Sequence, residues 1–394
     1  MSGPAAVVTI AGLLTLCGCG VLATLGHART RRELAGTLAL APLAGMAWAG
    51  IVGATLTVVE WRLGLVGLAF LTVVTCVVGG ARMSRRAVPA PSPLRPRRTT
   101  FDKVVVIGAL TALVVVLVDA ISVFRIKPLA EYDGWAMWGM KARALATLGG
   151  ADPALFASRA YERLHLEYPL LLPSLHALPL QAASGFASNT VVLSCLAVGL
   201  AGLLAIWGLL RDRVRPSLLL AFVAALATMP AFFGQLATGY ADVPVAMFVA
   251  AGAVTAARWL LDDRRSWLAL ATLFLAAAAL TKNEGLLYAA AVYTALVAGA
   301  AGRRKAAALS AGIVALAYAP WRAYVAVHDL GAPDYNLSSS FNLPWVAGRL
   351  DRGPEAETVS SGRCSIPTSS ASSCSSHFSP SCSQSPSGRG GWAW

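Results

Sequence analysis

Charged side chains are scarce in this sequence. They make up 13% of the 394 residues, while 57% of the residues are hydrophobic. Soluble domains carry roughly 25% charged residues, because they must cover their surface with polar groups. The deficit excludes a soluble enzyme of this length and indicates an integral membrane protein.

Patterns typical of metal-binding, disulfide-bonded and nucleic-acid-binding proteins are also missing. The seven cysteines have neither the spacing of metal ligands nor that of a disulfide framework. The net charge of +13 comes largely from arginines in short connections between apolar segments, which is the positive-inside pattern of membrane proteins. No nucleic-acid partner is therefore predicted.

Apolar segments fill most of residues 4–327, and most of them approach the length of about 20 residues that a helix needs to cross the hydrocarbon core. We predict about ten transmembrane helices, at 4–26, 34–59, 63–80, 104–124, 187–210, 217–235, 241–261, 267–281, 285–302 and 306–327. The fold class is therefore all-α, in a multi-pass protein of the cell membrane that contacts membrane lipids.

Basic residues are concentrated in every second connection between these segments. They lie at Arg29–Arg32, Arg82–Arg98, Arg211–Arg215, Arg264–Arg265 and Arg303–Lys305. Since arginine-rich connections stay in the cytoplasm, the odd-numbered connections are predicted to be cytoplasmic. The even-numbered connections and the N-terminus are then extracytoplasmic.

Three regions follow from this pattern. Residues 1–103 form an N-terminal three-span segment with a basic cytoplasmic loop, and residues 104–350 form a membrane core with one long external loop, 125–186. This loop is predicted to carry short helices along the membrane surface. The Ser/Pro/Cys-rich tail, 351–394, has no apolar periodicity and is predicted to be disordered.

An acidic and aromatic motif opens the long loop, with Glu131, Asp133, Trp135 and Lys141 in close succession. A carboxylate there can accept a proton from a hydroxyl group as a general base, or it can coordinate a divalent cation. The aromatic rings can stack on a sugar or on a lipid isoprene unit. The alternative is a solvated interfacial belt without catalytic function.

Four further charged residues fall in or beside even-numbered connections. Asp242 follows Gly239-Tyr240 and is explained either by function or by capping of the next helix. Lys282 and Glu284 lie between two short apolar segments, almost within the membrane, where ionisable groups are usually functional. The alternative is a lysine–glutamate pair that neutralises itself at the interface. Arg322 either binds a phosphate or extends to the lipid headgroups.

The order of these motifs along residues 104–345 resembles the C-type membrane glycosyltransferases, the superfamily of the protein O-mannosyltransferases and the lipid A aminoarabinose transferases. The order is Glu131–Lys141, Tyr240-Ala241-Asp242, Thr281-Lys282-Asn283-Glu284-Gly285 and Pro320-Trp321 with Tyr324. The resemblance implies a membrane glycosyltransferase with a polyprenyl-phosphate-linked sugar as donor. The acceptor, whether glycan, lipid or protein, stays open.

The resemblance also implies roles for individual residues. Asp133, with Glu131 beside it, takes the position of the catalytic base. Lys282 and Arg322 would hold the lipid phosphate, while Asp242 or Glu284 would orient the sugar or the acceptor. Trp135 and Lys141 would contribute to substrate binding.

The cofactor stays unknown from the sequence. Some members of the family bind a metal at the position of Asp133, so a divalent cation (Mg²⁺ or Mn²⁺) held by Asp133 and Asp242 is an open expectation.

A multispanning transporter or lipid flippase is the alternative function. Transporters usually carry inverted repeats and polar residues near the membrane midplane. Neither is visible in this sequence, whose polar motifs share one predicted face. Where the family has further spans or an outer domain, this chain has the serine-rich tail, which leaves open that it is truncated and inactive.

The tail yields a first prediction. We expect that the reading frame of residues after about Gly353 is shifted, and that the natural protein continues with further spans. Sequencing of the locus checks this directly. One uninterrupted and correct reading frame through Trp394 would contradict it.

Overall fold

The computed structural model of the chain describes residues 1–28, 30–83, 99–158, 161, 164–183 and 188–330. Within these ranges the secondary structure is helical, without strands, so the all-α prediction is confirmed. The predicted tail, 351–394, and the end of the predicted core, 331–350, lie outside the described residues.

Helices follow one another with short connections. The first half contains α1 (Gly3–Thr24), α2 (Arg31–Thr37), α3 (Ala41–Val58), α4 (Leu65–Arg82), α5 (Thr100–Ile126), α6 (Met140–Leu148), α7 (Pro153–Phe156) and α8 (Leu171–Ala182). The second half contains α9 (Ser188–Leu210), α10 (Pro216–Thr228), α11 (Pro230–Thr238), α12 (Asp242–Asp262), α13 (Arg265–Thr281), α14 (Asn283–Gly299) and α15 (Arg304–Val327). A 3-10 turn, Leu38–Leu40, leads into α3, and a π-helix, Asp133–Gly139, leads into α6.

Six of the helices in the described ranges are long and apolar enough to cross a membrane: α1, α3 with its 3-10 turn, α4, α5, α9 and α12. A seventh crossing is obtained if α10 and α11, which meet at an angle of 53°, form one broken span. Helices α13, α14 and α15 coincide with the last three predicted spans but do not meet both criteria. The predicted count of ten therefore stays a prediction.

Helix α13 lies at the centre of the bundle and packs against α3, α12, α14 and α15. Its second half, from Leu273 to Thr281, is buried on every side and contains a run of alanines, Ala276–Ala279. Small side chains allow neighbouring helices to approach closely in a membrane protein. This helix has only 17 residues. Because other helices surround it, its side chains are apolar on nearly every face.

Apolar side chains cover the outside of the bundle rather than only its interior. Helix α4 exposes Val66, Phe70 and Val73, and α5 exposes Val104 and Ile107 among many others. A soluble monomer rarely exposes such a continuous apolar surface. These two outward faces therefore fit contact with lipid chains.

One helix of the long loop is buried inside the bundle. Helix α8 packs against α3, α6 and α9. Residues Leu171, Leu172 and Leu178 are fully enclosed. Most of its side chains are apolar, which fits a buried position. The short helices predicted along the membrane surface stay a prediction.

Contacts sort the connections between the helices into two groups. In the basic group, Arg82 donates to the carbonyl of Thr24, and Arg215 pairs with Asp102. Arg213, in the connection after α9, forms an ion pair with Asp262, the last residue of α12. These contacts join connections that the sequence predicts on one side of the membrane.

The other connections contact one another at the opposite end of the helices. Arg62, before α4, donates to the Ala146 carbonyl of α6 at 3.1 Å. The Tyr324 hydroxyl donates to the Ala151 carbonyl at 2.7 Å, and Lys282 pairs with Asp242 at 3.0 Å. No ion pair among the described residues joins the two groups. We call the first group the basic end and the second the carboxylate end.

Arg258 organises the basic end. Its guanidinium binds both oxygens of Asp212 at 2.7 and 2.8 Å and Asp262 at 2.9 Å. It also donates to the Leu209 carbonyl at 2.8 Å and stacks 4.5 Å from the centre of the Trp267 ring. One side chain, only 7% exposed, therefore ties α9, α12 and α13 together.

Replacing this arginine should destabilise the bundle. Removing one partner of a buried ion pair costs up to about 3–5 kcal/mol, and the loss here is smaller because Asp212 is half-exposed and Asp262 keeps its pair with Arg213. Arg258→Leu is expected to lower the apparent midpoint of thermal unfolding in detergent by several degrees. Arg265→Leu, at an exposed arginine of the same end, is the control and should leave the midpoint nearly unchanged. Equal effects of the two substitutions would contradict the assignment.

Candidate functional site

The acidic motif after α5 lies on a rare type of helix. Residues Asp133–Gly139 form a π-helix, and π-helical segments occur frequently at functional sites. Gly134 allows this segment to pack against the end of α11, because a Cβ atom there would lie 2.1 Å from the Thr238 carbonyl oxygen. The close packing brings the motif beside the connection that contains Tyr240.

Tyr240 marks the point where carboxylates from two connections meet. Its burial, followed by the negative charges of Asp133, Glu131 and Asp242, raises the pKa of its hydroxyl. Asp133 is half-buried, while Glu131 and Asp242 are exposed. Three acidic residues that are up to 111 positions apart (242 − 131) therefore share one electrostatic environment at the carboxylate end.

Lys282 supplies positive charge next to these acids. Its ammonium lies 3.0 Å from Asp242 Oδ1 and 3.3 Å from Glu284 Oε1. Burial alone would lower the pKa of Lys282, but the hydrogen bonds and charges of Asp242 and Glu284 outweigh burial and raise it. Lys282 is therefore charged at neutral pH and is compensated by two carboxylates.

The chain breaks sharply at Lys282, as the sequence predicts. Helix α13 ends at Thr281 and α14 begins at Asn283, with Lys282 alone in extended conformation between them. Gly285 makes the sharp break possible, since a Cβ atom there would lie 1.9 Å from the Ala278 carbonyl oxygen. The tight packing of the two helices holds Lys282 and Glu284 at the end of the bundle.

Helix α15 connects the Lys282 break with the long loop. The Tyr318 hydroxyl donates to Asn283 Oδ1 at 3.0 Å, and the exposed Arg322 guanidinium lies beside the same hydroxyl. Trp321 Nε1 donates to the carbonyl of Glu167 at 2.9 Å. Arg322 is thus brought to the same end as the carboxylates.

Lys141 is placed differently from the other predicted residues. Its side chain is fully buried, and its ammonium donates to the His165 carbonyl. The Trp138 and Tyr168 rings flank the ammonium at 5.7 and 5.8 Å. Burial lowers the pKa of Lys141 to about 7, against the raising effect of Glu167. This enclosure suits a structural role better than direct contact with a substrate.

Glu167 belongs to the site but was not among the residues predicted from the sequence. Its side chain is 13% exposed, and Oε1 lies 3.1 Å from His165 Nδ1. The other oxygen, Oε2, is buried and has no hydrogen-bond partner in the described part of the chain. The irregular spacing of His165, Glu167 and His176 gave no signal, since these side chains meet others from distant segments.

Aromatic residues of the motif divide into exposed and buried ones. Trp135 is 49% exposed and contacts the exposed Tyr132 edge-on, with ring centres 5.8 Å apart. Trp138 is buried and stacks on Tyr168 at 5.7 Å. Trp135 and Tyr132 are therefore the rings that a bound molecule can reach beside Asp133.

The carboxylate end does not form a metal site by itself. No group of three or more His, Cys, Asp and Glu side chains in the described ranges is arranged to hold a metal ion. Asp133 and Asp242, the two residues predicted as possible metal ligands, both contribute negative charge that raises the pKa of Tyr240, but no third ligand joins them among the described residues.

Comparison with known proteins adds no family to this geometry. No protein-family model, no curated protein and no solved structure matches the chain.

Lys141 gives a prediction for pH dependence. Its folded-state pKa of about 7 lies below the ordinary value of 10.5, so between these values the unfolded chain binds a proton that the folded chain does not. Stability should therefore rise as the pH increases from 7 to 10. The apparent midpoint of thermal unfolding in detergent, measured over this range, is expected to rise for the parent. The rise should be smaller for Lys141→Met, and equal pH profiles of the two proteins would contradict the prediction.

Proposed function

We propose that this protein is a membrane glycosyltransferase that moves a sugar from a polyprenyl-phosphate donor to a hydroxyl group of an acceptor. The observation that carries the proposal is the meeting of acids and bases from four separate segments at one end of the bundle. These segments contribute Asp133, Asp242, Lys282 and Arg322. A scaffold without catalytic function leaves this convergence without an explanation.

Each group has a defined task in the reaction. The acceptor oxygen attacks the anomeric carbon of the sugar, its proton passes to the Asp133 carboxylate, and the bond from that carbon to the phosphate oxygen breaks. The departing lipid phosphate carries developing negative charge, which positioned cations stabilise. Glu131 supports Asp133, while Asp242 and Glu284 are assigned to orient the sugar or the acceptor.

The cations are not equivalent in this proposal. Arg322 is exposed and can bind a phosphate through two parallel hydrogen bonds, so it is the first choice for the donor phosphate. Lys282 is already compensated by two carboxylates and is therefore the second choice for the donor phosphate.

Lys141 is enclosed and is assigned to support of the π-helix, and Trp135 offers an exposed ring to the sugar or the isoprene chain. No step is assigned to a metal ion, because the described acids do not fit one.

The sidedness of the reaction follows from the arginines. If the basic end faces the cytoplasm, as the positive-inside bias indicates, the carboxylate end faces the extracytoplasmic side of the cell membrane. A lipid-linked donor would then reach Arg322 from the outer leaflet.

A transporter or lipid flippase is the second candidate. The 53° bend between α10 and α11 favours it, because transporters commonly bind their cargo at broken helices. However, Met229 and Pro230 at the bend are exposed, and the charged residues lie at the helix ends. The glycosyltransferase therefore accounts for more of the site.

Turnover of the donor lipid tests the proposal. Membranes that contain this chain are supplied with labelled polyprenyl-phosphate sugar. Asp133→Asn should reduce donor consumption at least about 100-fold, since general-base catalysis contributes that much or more. Asp329→Asn, at an exposed acid of the same end, is the control and should stay active.

Two outcomes contradict parts of the proposal. Parental activity of Asp133→Asn would show that another group is the base. Movement of intact labelled lipid across the membrane, without consumption of the donor, would favour the flippase.

A further inference from the structure

A groove of about 520 Å³ opens at the carboxylate end, between the start of α4 and helices α6 and α8. Its lining includes Arg62, Leu65, Val66, Ala146 and Gln181. None of these residues belongs to the site proposed for glycosyl transfer. The volume lies within the range of roughly 300–1,000 Å³ that is usual for small-molecule sites.

The two polar side chains of the groove, Arg62 and Gln181, both carry hydrogen-bond donors. Arg62 is exposed and uses Nη1 to donate to the Ala146 carbonyl, while a guanidinium carries five N–H donors in all. Gln181 Nε2 is buried, and no partner for it occurs in the described part of the chain. The Gln181 side chain as a whole is partly exposed, and rotation of its amide group turns Nε2 toward the groove, where an acceptor can bind it.

Acidic side chains do not compete for these donors. The nearest acid in sequence, Glu60, is not among the lining residues. The charge of the groove is therefore positive, and its donors complement a phosphate better than a cation or a neutral sugar.

The apolar side of the groove continues along α4. Leu65 and Val66 line it, and the exposed Phe70 and Val73 follow on the same helix. Trp61, beside Arg62, is 70% exposed, and tryptophan is enriched where membranes meet water. A headgroup site therefore joins a surface suited to acyl chains.

We propose that this groove binds one anionic phospholipid, with its phosphate between Arg62 and Gln181 and its acyl chains along the outer face of α4. The charged groove, the buried unpaired amide and the adjoining apolar helix face support one and the same ligand. The proposal depends on the membrane assignment and not on glycosyl transfer.

Native mass spectrometry of the full chain, released from a neutral detergent with added phosphatidylglycerol, measures this binding. Arg62→Gln should weaken the tightest lipid binding about tenfold, since charge-assisted hydrogen bonds to phosphate are the strong ones. Arg62→Lys should recover part of the loss because it retains the charge but not the planar donor set. Gln181→Leu should weaken binding severalfold while it preserves the side-chain volume.

Arg304→Gln serves as the matched control, since Arg304 is an exposed arginine at the basic end. It should leave the tightest binding unchanged, and equal losses for Arg62→Gln and Arg304→Gln would overturn the proposal. If Arg62→Gln does not fold, Gln181→Leu decides, and parental affinity of that variant overturns the site.

Inorganic phosphate distinguishes the source of the ligand. If phosphatidylglycerol binding persists in an excess of free phosphate, the acyl chains contribute and the lipid is the ligand. Complete displacement at millimolar phosphate would identify a site for the free ion and overturn the lipid assignment. Equal affinity for phosphatidylcholine would overturn the preference for an anionic lipid.

Discussion

The cost of placing charge in hydrocarbon governs this structure. An ionisable side chain at the centre of a bilayer costs at least a few kcal/mol, so charged groups collect at helix ends and pair there. The chain follows this rule with two separate sets of ion pairs. Arg258 with Asp212 and Asp262 represents one set, and Lys282 with Asp242 and Glu284 represents the other. Asp119 is an exception to this collection of charges at helix ends. It lies on the exposed side of α5, about 10 Å before the end of that helix, since each residue adds about 1.5 Å.

The two ends differ in how their charges are used. At the basic end Arg258 is saturated by two carboxylates, a backbone carbonyl and a tryptophan ring, which suits a structural clasp. At the carboxylate end, Asp133, Glu131 and Arg322 retain exposed polar surface, and Glu167 keeps a buried oxygen without a hydrogen bond. Incomplete pairing of this kind is typical of sites that bind a ligand. The asymmetry places the proposed chemistry at one end only.

Hydropathy and charge predicted a large part of the fold, because both follow directly from the membrane as solvent. The break at Lys282 was predictable, since a continuous helix would bury Lys282 and Glu284 in hydrocarbon. The enclosure of Lys141 was not predictable, because the His165 carbonyl and the Tyr168 ring that surround it come from a distant part of the loop. The burial of α8 was not predictable for a similar reason, as its 12 residues are too short to indicate a buried helix without knowledge of its neighbours.

The central claim is that the carboxylate end faces outward and the basic end faces the cytoplasm. The most direct test is labelling with a membrane-impermeant thiol reagent, in a version whose seven native cysteines are replaced by serine. Ala130→Cys and Ala301→Cys supply one exposed thiol at each end. In intact cells the thiol at position 130 should react, while the thiol at position 301 should react only after permeabilisation. Reaction of both thiols from the same side, or the reverse pattern, would contradict the account.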